Sequence, residues 1–188
     1  MPPGAATGTR RRLLEAAALL IPEVGWGNVS TRRVAQAAGV NAGVVHYHFA
    51  SVAELLRSAA ELGIRRSFEG PVERMLGQGD AASGVRALLG ELADAGTDRT
   101  THILLFESTL AATRDPLLRA QIAAMLTEVR ERLTEWLREV ADVPEPASAA
   151  ALIAAVIDGY LLHRAVDPTL PPDLLAPALD ALLARRRP

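Results

Sequence analysis

Residues 30–49 constrain the fold of this 188-residue chain more than any other segment. Ser30 is a typical residue to precede a helix, because its hydroxyl accepts a hydrogen bond from an unpaired backbone N–H of the first turn. Gly39 fits a tight turn that needs a positive φ, and Asn41 has the side chain to cap a second helix. The segment therefore predicts two short helices joined by a tight turn.

The side chains of this segment divide between an inner and an outer face. Helical spacing places a set of apolar residues in the core: Val34, Ala35, Val45 and Phe49. The outer face of the second helix carries no Arg, Lys, Asp or Glu; it consists of Ala42, Gly43, Val44, His46 and Tyr47. Such a face, in a segment otherwise rich in Arg, fits insertion into the major groove of DNA. An ordinary helical hairpin is the alternative that this short motif leaves open.

The flanking sequence favours the DNA-binding interpretation. Arg10-Arg11-Arg12-Leu-Leu-Glu-Ala-Ala and Gly25-Trp26 precede the segment, and Ser51-Val-Ala-Glu54-Leu55-Leu56 follows it. In order and spacing, about residues 9–63 resemble the N-terminal domain of the TetR family of transcriptional regulators. Two later stretches resemble the family more loosely: Arg114-Asp115-Pro116-Leu117-Leu118-Arg119 and Asp158-Gly159-Tyr160.

The resemblance implies an all-α fold of about nine helices, and the abundance of Ala and Leu with only 4% aromatic residues agrees with it. Residues 9–51 are expected to form a three-helix helix-turn-helix DNA-binding domain, and residues 52–188 a helical ligand-binding and dimerisation domain. The small, Gly- and Pro-bearing residues 1–8 are predicted to be a flexible tail. The implied function is that of a homodimeric repressor, released from a palindromic DNA operator by a small-molecule effector.

The distribution of charge agrees with this division. Residues 1–66 contain eight Arg against four Glu, a net charge of +4, whereas residues 67–188 contain twelve Arg against eighteen acidic residues, a net charge of −6. A basic segment joined to an acidic one is typical of a phosphate-contacting module attached to a domain that does not bind DNA. Differences of several charges also arise by chance between the halves of a protein, so the asymmetry supports the motif without proving it.

Several other function classes find little support in the sequence. The chain has no Cys, so disulfides and thiolate chemistry are excluded. His46 and His48 lie two positions apart on a predicted helix and point in nearly opposite directions, so we expect no metal site and no cofactor. No Ser stands in a nucleophile motif, and an enzyme is not expected. The longest apolar run, from Ala149 to Ile157, is too short to span a membrane, and a cytoplasmic protein is predicted.

The resemblance assigns roles at the DNA surface residue by residue. Arg32 stands where a side chain reaches a guanine edge, although a phosphate contact or a solvated Arg is the alternative. Ala42 and Val44 suit thymine methyl groups, and Gly43 permits close backbone approach. Tyr47 is expected to bond a phosphate, unless it packs against the end of the first helix. The full predicted set is Ser30, Thr31, Arg32, Ala42, Gly43, Val44, His46, Tyr47 and His48.

Two departures from the family pattern bear on DNA affinity. His46 replaces the aromatic residue that usually stands two positions before the motif His, and it can donate to DNA when protonated. Val52 replaces the Lys that usually opens the fourth helix, which a capping box of Ser51 and Glu54 is predicted to start. The missing Lys keeps an alternative open, namely a helical small-molecule-binding or scaffolding protein with weak or lost DNA binding. An activator also remains possible.

The effector pocket follows no motif. Its candidates are polar or amphipathic residues on otherwise apolar helices, each of which is alternatively a satisfied core or surface group: His102, Glu107, Thr113, Gln121, Trp136, Asp158, Tyr160 and His163.

The last two predicted helices carry apolar stripes that fit a dimer interface, with the intramolecular core as the alternative. The predicted interface residues are Ala150, Ile153, Ala154, Ile157, Leu161, Leu175, Ala178, Leu179 and Leu182.

Overall fold

The computed structural model describes the backbone of residues 3–93 and 99–183, and within these ranges it describes the side chains from residue 7 onward. The described part is helical and contains no strand, which confirms the all-α prediction. Its helices are α1 (Pro3–Val24), α2 (Thr31–Ala37), α3 (Ala42–His48), α4 (Val52–Leu76), α5 (Ala81–Ala93), α6 (Arg99–Ala112), α7 (Pro116–Val140), α8 (Pro146–Val166) and α9 (Ala176–Leu183). Short 3₁₀ turns at Trp26–Asn28 and Pro172–Leu175 precede α2 and α9.

The first helix begins earlier than the sequence predicts. Residues 3–8 of the predicted flexible tail belong to α1, which starts at Pro3 rather than near Thr9. Proline is tolerated at the first helical position because its missing N–H has no partner there in any case, and Ala5 and Ala6 favour helix strongly. Met1 and Pro2 of that tail, and residues 184–188 of the predicted C-terminal domain, lie outside the described residues.

The chain forms two compact units. The first, here called the head unit, comprises the described residues of 1–67 together with 100–122; the second, the body unit, comprises those of 68–99 and 123–188. The head unit is therefore larger than the predicted DNA-binding segment of residues 9–51, because it also contains the first part of α4 and nearly all of α6. The functional division at residue 51 stays a prediction.

Close helix packing explains why α6 belongs to the head unit. At Gly63 in α4, an added Cβ would lie 2.5 Å from Leu104 Cδ2 of α6 and 3.3 Å from Ala18 Cβ of α1. Three helices thus meet at a position that has room only for hydrogen. Leu13, Ile21 and Leu55, which lie on α1 and α4, are fully buried in the same unit.

The body unit has a comparable contact around Trp136. The indole is 5% exposed, and its N–H donates to the carbonyl of Gln78 over 3.0 Å. Gly84 of α5 faces the ring, and a Cβ there would lie 2.8 Å from the Trp136 Cζ2 atom and 3.0 Å from the Met75 carbonyl oxygen. The packing of the body core therefore requires a residue without a Cβ at position 84, next to the Trp136 ring.

We expect Gly84→Ala to lower the free energy of unfolding by about 1–3 kcal/mol, because overpacking forces the indole and the α4 backbone apart. Gly90→Ala is the matched control, since a Cβ at Gly90 of the same helix meets nothing within 4 Å; helix propensity makes that change neutral or slightly stabilising. Urea denaturation followed by tryptophan fluorescence measures both. Equal stability of the two variants would contradict the packing described here.

Candidate nucleic-acid interface

The two helices of the predicted motif are capped as the sequence predicts. Ser30 Oγ accepts from the Arg33 N–H at 3.3 Å and opens α2. Asn41 Oδ1 accepts from the Gly43 N–H at 3.0 Å and opens α3. Gly39, between them, has φ of +64°, a conformation in which a Cβ would be strained. The helix-turn-helix geometry therefore arises from local interactions that span only a few residues.

Burial separates the two faces of this motif in the predicted way. Four apolar side chains are at most 2% exposed: Val34, Ala35, Val45 and Phe49. On the outer face of α3, Ala42, Gly43, His46 and Tyr47 are exposed, whereas Val44 and His48 are half-buried. Tyr47 is 79% exposed and touches the His48 ring edge to face, with centroids 5.0 Å apart. Its exposure argues against the alternative in which it packs on the end of α1.

Three α2 positions complete the outer surface. Arg32 and Arg33 are exposed and Thr31 is half-buried. Among the described residues, no carboxylate lies within ion-pair distance of Arg32 or Arg33. Both guanidinium groups are therefore available to a polyanion.

All three Arg residues of α1 make contacts within the head unit, and Arg12 donates to Thr9 Oγ1 over 3.5 Å. The Arg10 guanidinium lies 4.9 Å from the centroid of the Phe49 ring. Arg11 donates to Glu15 at 2.9 Å, and Arg66 of α4 donates to the same carboxylate at 2.7 Å. These hydrogen bonds, first that of Arg11 and then that of Arg66, lower the pKa of Glu15.

The start of α4 is capped by a carboxylate. Ser51 Oγ accepts from the Glu54 N–H at 3.1 Å, and Glu54 Oε2 accepts from the N–H of Ala50 at 2.8 Å. The predicted capping box thus forms with its second bond one residue earlier than usual. Val52 is uncharged, so the charged group at this terminus is the carboxylate of Glu54, which disfavours a phosphate there.

Two long-range polar contacts within the head unit are not predicted by the sequence. Glu107 Oε2 of α6 accepts from the backbone N–H of Trp26 at 2.8 Å. Arg57 of α4 donates to Asp115 Oδ2 at 2.9 Å, with both side chains at most 24% exposed. The partners are 81 and 58 positions apart, and a single sequence contains no signal that would pair them.

Asp115 also caps the amino end of α7. Its Oδ1 accepts from the N–H groups of Leu117 and Leu118 at 3.0 and 3.1 Å. The Leu118 bond, and then the Arg57 bond, hold the pKa of Asp115 below its usual value. The ion pair with Arg57 therefore stays charged at neutral pH.

The predicted effector residues do not gather in one unit. His102, Glu107, Thr113 and Gln121 lie in the head unit, whereas Trp136, Asp158, Tyr160 and His163 lie in the body unit. Thr113 and His163 are exposed, whereas His102, Trp136 and Tyr160 are buried. The Tyr160 hydroxyl donates to the Leu170 carbonyl at 3.4 Å, and burial raises its pKa.

Two of these candidates have side-chain oxygens that accept none of the hydrogen bonds found among the described residues. The buried Oε1 of Gln121 has no hydrogen-bond partner in the described part of the chain. Asp158 stays in contact with solvent, but its partly buried surroundings raise its pKa above the usual value. An open groove of about 500 Å³ in the body unit is lined by none of the predicted effector residues; its walls are Thr127, Arg130, Glu131, Thr134, Glu135, Arg138, Ala147 and Ala151.

The predicted dimer stripe is wrong for four residues. Ala150, Ile153, Leu161 and Leu179 are at most 3% exposed within the single chain, so they have almost no surface left for a partner. Ala154, Ile157 and Leu175 are half-buried, and only Ala178 and Leu182 are exposed. The predicted α8 stripe is therefore largely the intramolecular core, which was the alternative.

A different face of α8 is largely apolar and exposed, and Asp158 is its acidic residue. Leu152, Leu162 and Val166 are 48%, 50% and 84% exposed, and Ala151 and Ala155 are exposed beside them. Among the described residues, α8 is the one helix that is long and apolar enough to cross a membrane, judged by length and composition alone. Within the chain, 28% of its apolar stretch is buried. Such a helix equally fits packing against another helix.

A helix-turn-helix joined to an entirely helical remainder defines the class of the protein as a helix-turn-helix DNA-binding regulator. Residues 13–59 match the family model described as bacterial regulatory proteins of the tetR family. Residues 76–185 match the model described as a Tetracyclin repressor-like C-terminal domain. The chain belongs to the TetR family of transcriptional regulators.

Individual relatives agree over nearly the whole length. An uncharacterized HTH-type transcriptional regulator of Mycobacterium tuberculosis is 28% identical over 183 residues, which span 93% of this chain and 92% of the relative. A transcriptional regulator from Rhodococcus sp. Rha1 superposes with a TM-score of 0.78 at 28% identity, covering 92% of each chain. The multidrug binding protein EbrR, complexed with imidazole, gives a TM-score of 0.71 at 29% identity, covering 95% of this chain and 96% of its own.

Proposed function

We propose that this chain is a homodimeric repressor that binds a palindromic operator and is released from it by a small molecule. One observation carries the DNA-binding part of the proposal. The capped α2–α3 pair presents an outer face on α3 without Arg, Lys, Asp or Glu, and on α2 an exposed Arg32 with no ion-pair partner among the described residues. In a member of the TetR family, this surface is the one that would enter the major groove.

Specificity at this surface would depend on few groups. Ala42, Gly43 and Val44 at the start of α3 offer apolar contact and close backbone approach but no side-chain hydrogen bonds. Arg32 would therefore supply the main base-specific contact, to the O6 and N7 atoms of guanine. Four flanking groups, from Ser30, Thr31, His46 and Tyr47, would bind phosphates and fix the register. His48, half-buried beside Tyr47, would orient the phenol rather than reach DNA itself.

The exposed apolar face of α8 would form the dimer interface. Small residues recur along it every four positions, at Ala147, Ala151, Ala155 and Gly159, and this spacing lets two helices approach closely. The same patch on two copies gives a two-fold interface, to which Ala178 and Leu182 of α9 would contribute. To bind an inverted repeat, this dimer would hold its two reading helices about one DNA turn (~34 Å) apart.

The effector would be a small nitrogenous compound that donates hydrogen bonds or carries positive charge. EbrR, 29% identical to this chain, was solved with imidazole and also with proflavin. Either Gln121 in the head unit or Asp158 in the body unit would offer the acceptor oxygen for such a compound. A ligand that favours one conformation of the body unit would shift the population of dimers away from operator spacing. As an intracellular regulator, the protein would act in the cytoplasm.

Selection from a random DNA pool tests this function with the full chain. We expect enrichment of an inverted repeat with half-sites about 10 base pairs apart. Titration with proflavin, and separately with imidazole, is then expected to release that DNA in a mobility-shift assay. Footprints that overlap a promoter would support repression, and footprints upstream of one would indicate activation.

One observation favours a second candidate function. Val52 offers no cation and Glu54 adds a carboxylate at the start of α4, so each subunit would lack a phosphate contact there and would bind DNA more weakly. A helical small-molecule-binding or scaffolding protein would show no enriched sequence and only weak affinity for DNA at 50 mM salt, and this result would contradict the repressor proposal.

A further inference from the structure

The turn that leads into the DNA-reading helices is anchored to α6 twice. Gly25, with φ of +82°, ends α1 and directs the backbone N–H of Trp26 at Glu107 Oε2. The Trp26 side chain, like Ala111, packs against a buried cluster at the junction of α6 and α7, formed by Ala112, Leu118 and Ile122. One contact uses the backbone and the other uses the ring, so the two observations are independent.

The position of this turn matters for DNA reading. Trp26–Asn28 forms a single 3₁₀ turn, and α2 begins three residues later at Thr31. The turn therefore determines where the amino end of α2, and with it Arg32, lies relative to α1. A bidentate contact to guanine tolerates little displacement, because both hydrogen bonds need the guanidinium in the plane of the base.

We infer that Glu107 is a positioning residue for DNA recognition: through Trp26 it fixes the start of α2, and it makes α6 a direct mechanical link to the reading helices. This role differs from the effector contact that the sequence predicted for Glu107. It rests on the proposed function in one respect, namely that Arg32 reads a base. The carboxylate is well suited to the task, because hydrogen bonds to a charged acceptor are stronger than neutral ones.

Three variants of the full chain test the inference. Glu107→Ala removes the acceptor, Glu107→Gln retains a weaker one, and Glu23→Ala removes a charge from an exposed site on α1. The first readout is hydrogen exchange of the Trp26 amide, measured by NMR well below the melting temperature of every variant. We expect protection to fall in Glu107→Ala, to persist partly in Glu107→Gln, and to be unchanged in Glu23→Ala.

The second readout separates recognition from general affinity. We expect Glu107→Ala to weaken operator binding about tenfold, which is the size of effect expected from one charged hydrogen bond. Binding to unrelated DNA of equal length should not weaken, because the loss of a negative charge cannot reduce attraction to phosphates. Glu107→Gln should recover most of the operator affinity, and Glu23→Ala should match the wild type in both assays.

Each contrary result has a distinct meaning. Unchanged Trp26 protection in Glu107→Ala would overturn the contact itself. Lost protection with unchanged operator affinity would overturn the positioning role while leaving the proposed function intact. If the wild-type chain selects no operator, the proposed function is wrong. The positioning role of Glu107 in DNA recognition is then wrong as well, even if hydrogen exchange shows that Glu107 protects the Trp26 amide.

Discussion

Ala155→Arg is expected to convert the protein into a monomer and to weaken operator binding by about 100- to 10,000-fold. Ala155 is exposed at the middle of the largely apolar face of α8, and a long charged side chain there would hold two facing helices apart and oppose association strongly. A monomer has a single reading unit and loses the gain in avidity of two linked contacts, which is commonly 10²–10⁴. Sedimentation velocity and mobility shift measure the two effects.

Two companion variants identify the interface. Ala87→Arg places the same charge at an exposed position of α5, and we expect this variant to remain a dimer with full affinity. Ala150→Arg introduces the charge at a fully buried position of α8, and we expect it to prevent folding rather than to yield a folded monomer. A folded Ala150→Arg monomer together with a dimeric Ala155→Arg would reinstate the stripe that the sequence predicted.

Arg32→Ala is expected to weaken operator binding about 10- to 100-fold and to relax the preference at one base pair of each half-site, because a bidentate guanine contact contributes about 1–3 kcal/mol of discrimination. Arg33→Ala is the matched control. It removes the same charge from the adjacent exposed position of α2. That variant should weaken binding to all DNA sequences alike. It should also reduce the number of ions released on binding, read from the salt dependence, by about one per subunit.

The contrast between these two Arg variants decides the role of Arg32. Binding-site selection with each variant, repeated at two salt concentrations, measures base preference and ion release together. If Arg32→Ala also weakens every sequence equally, Arg32 is a phosphate contact. Specificity would then have to come from the apolar contacts of α3 and from DNA shape.

The local parts of the head unit could be predicted because their interactions are short in sequence. The caps at Ser30 and Asn41 and the turn at Gly39 each involve residues at most five positions apart. The buried pair Val34 and Val45 follows from helical periodicity alone. The early start of α1 at Pro3 was missed because proline and glycine usually break helices, and the first helical position is an exception.

Tertiary contacts were beyond prediction for a physical reason. Glu107 and Asp115 look like ordinary polar residues near helix ends, and only the fold brings them to Trp26 and Arg57. The prediction of the interface stripe on α8 differs from the structure for another reason. Ala, Ile and Leu occur on every side of this helix, so the spacing of apolar residues does not distinguish the inner face from the outer one. Packing of neighbouring helices, α5 among them, makes that distinction, and it cannot be read from the helix itself.

The apolar face of α8 also bears on how the regulator responds to its own abundance. A lone protomer leaves Leu152, Leu162 and Val166 in water, and pairing removes them from it. If α8 pairs as proposed, the amount of DNA-competent protein at low expression rises with the square of the chain concentration, by mass action. Operator occupancy would then increase more steeply than protein synthesis, and a modest change in expression would switch a target gene.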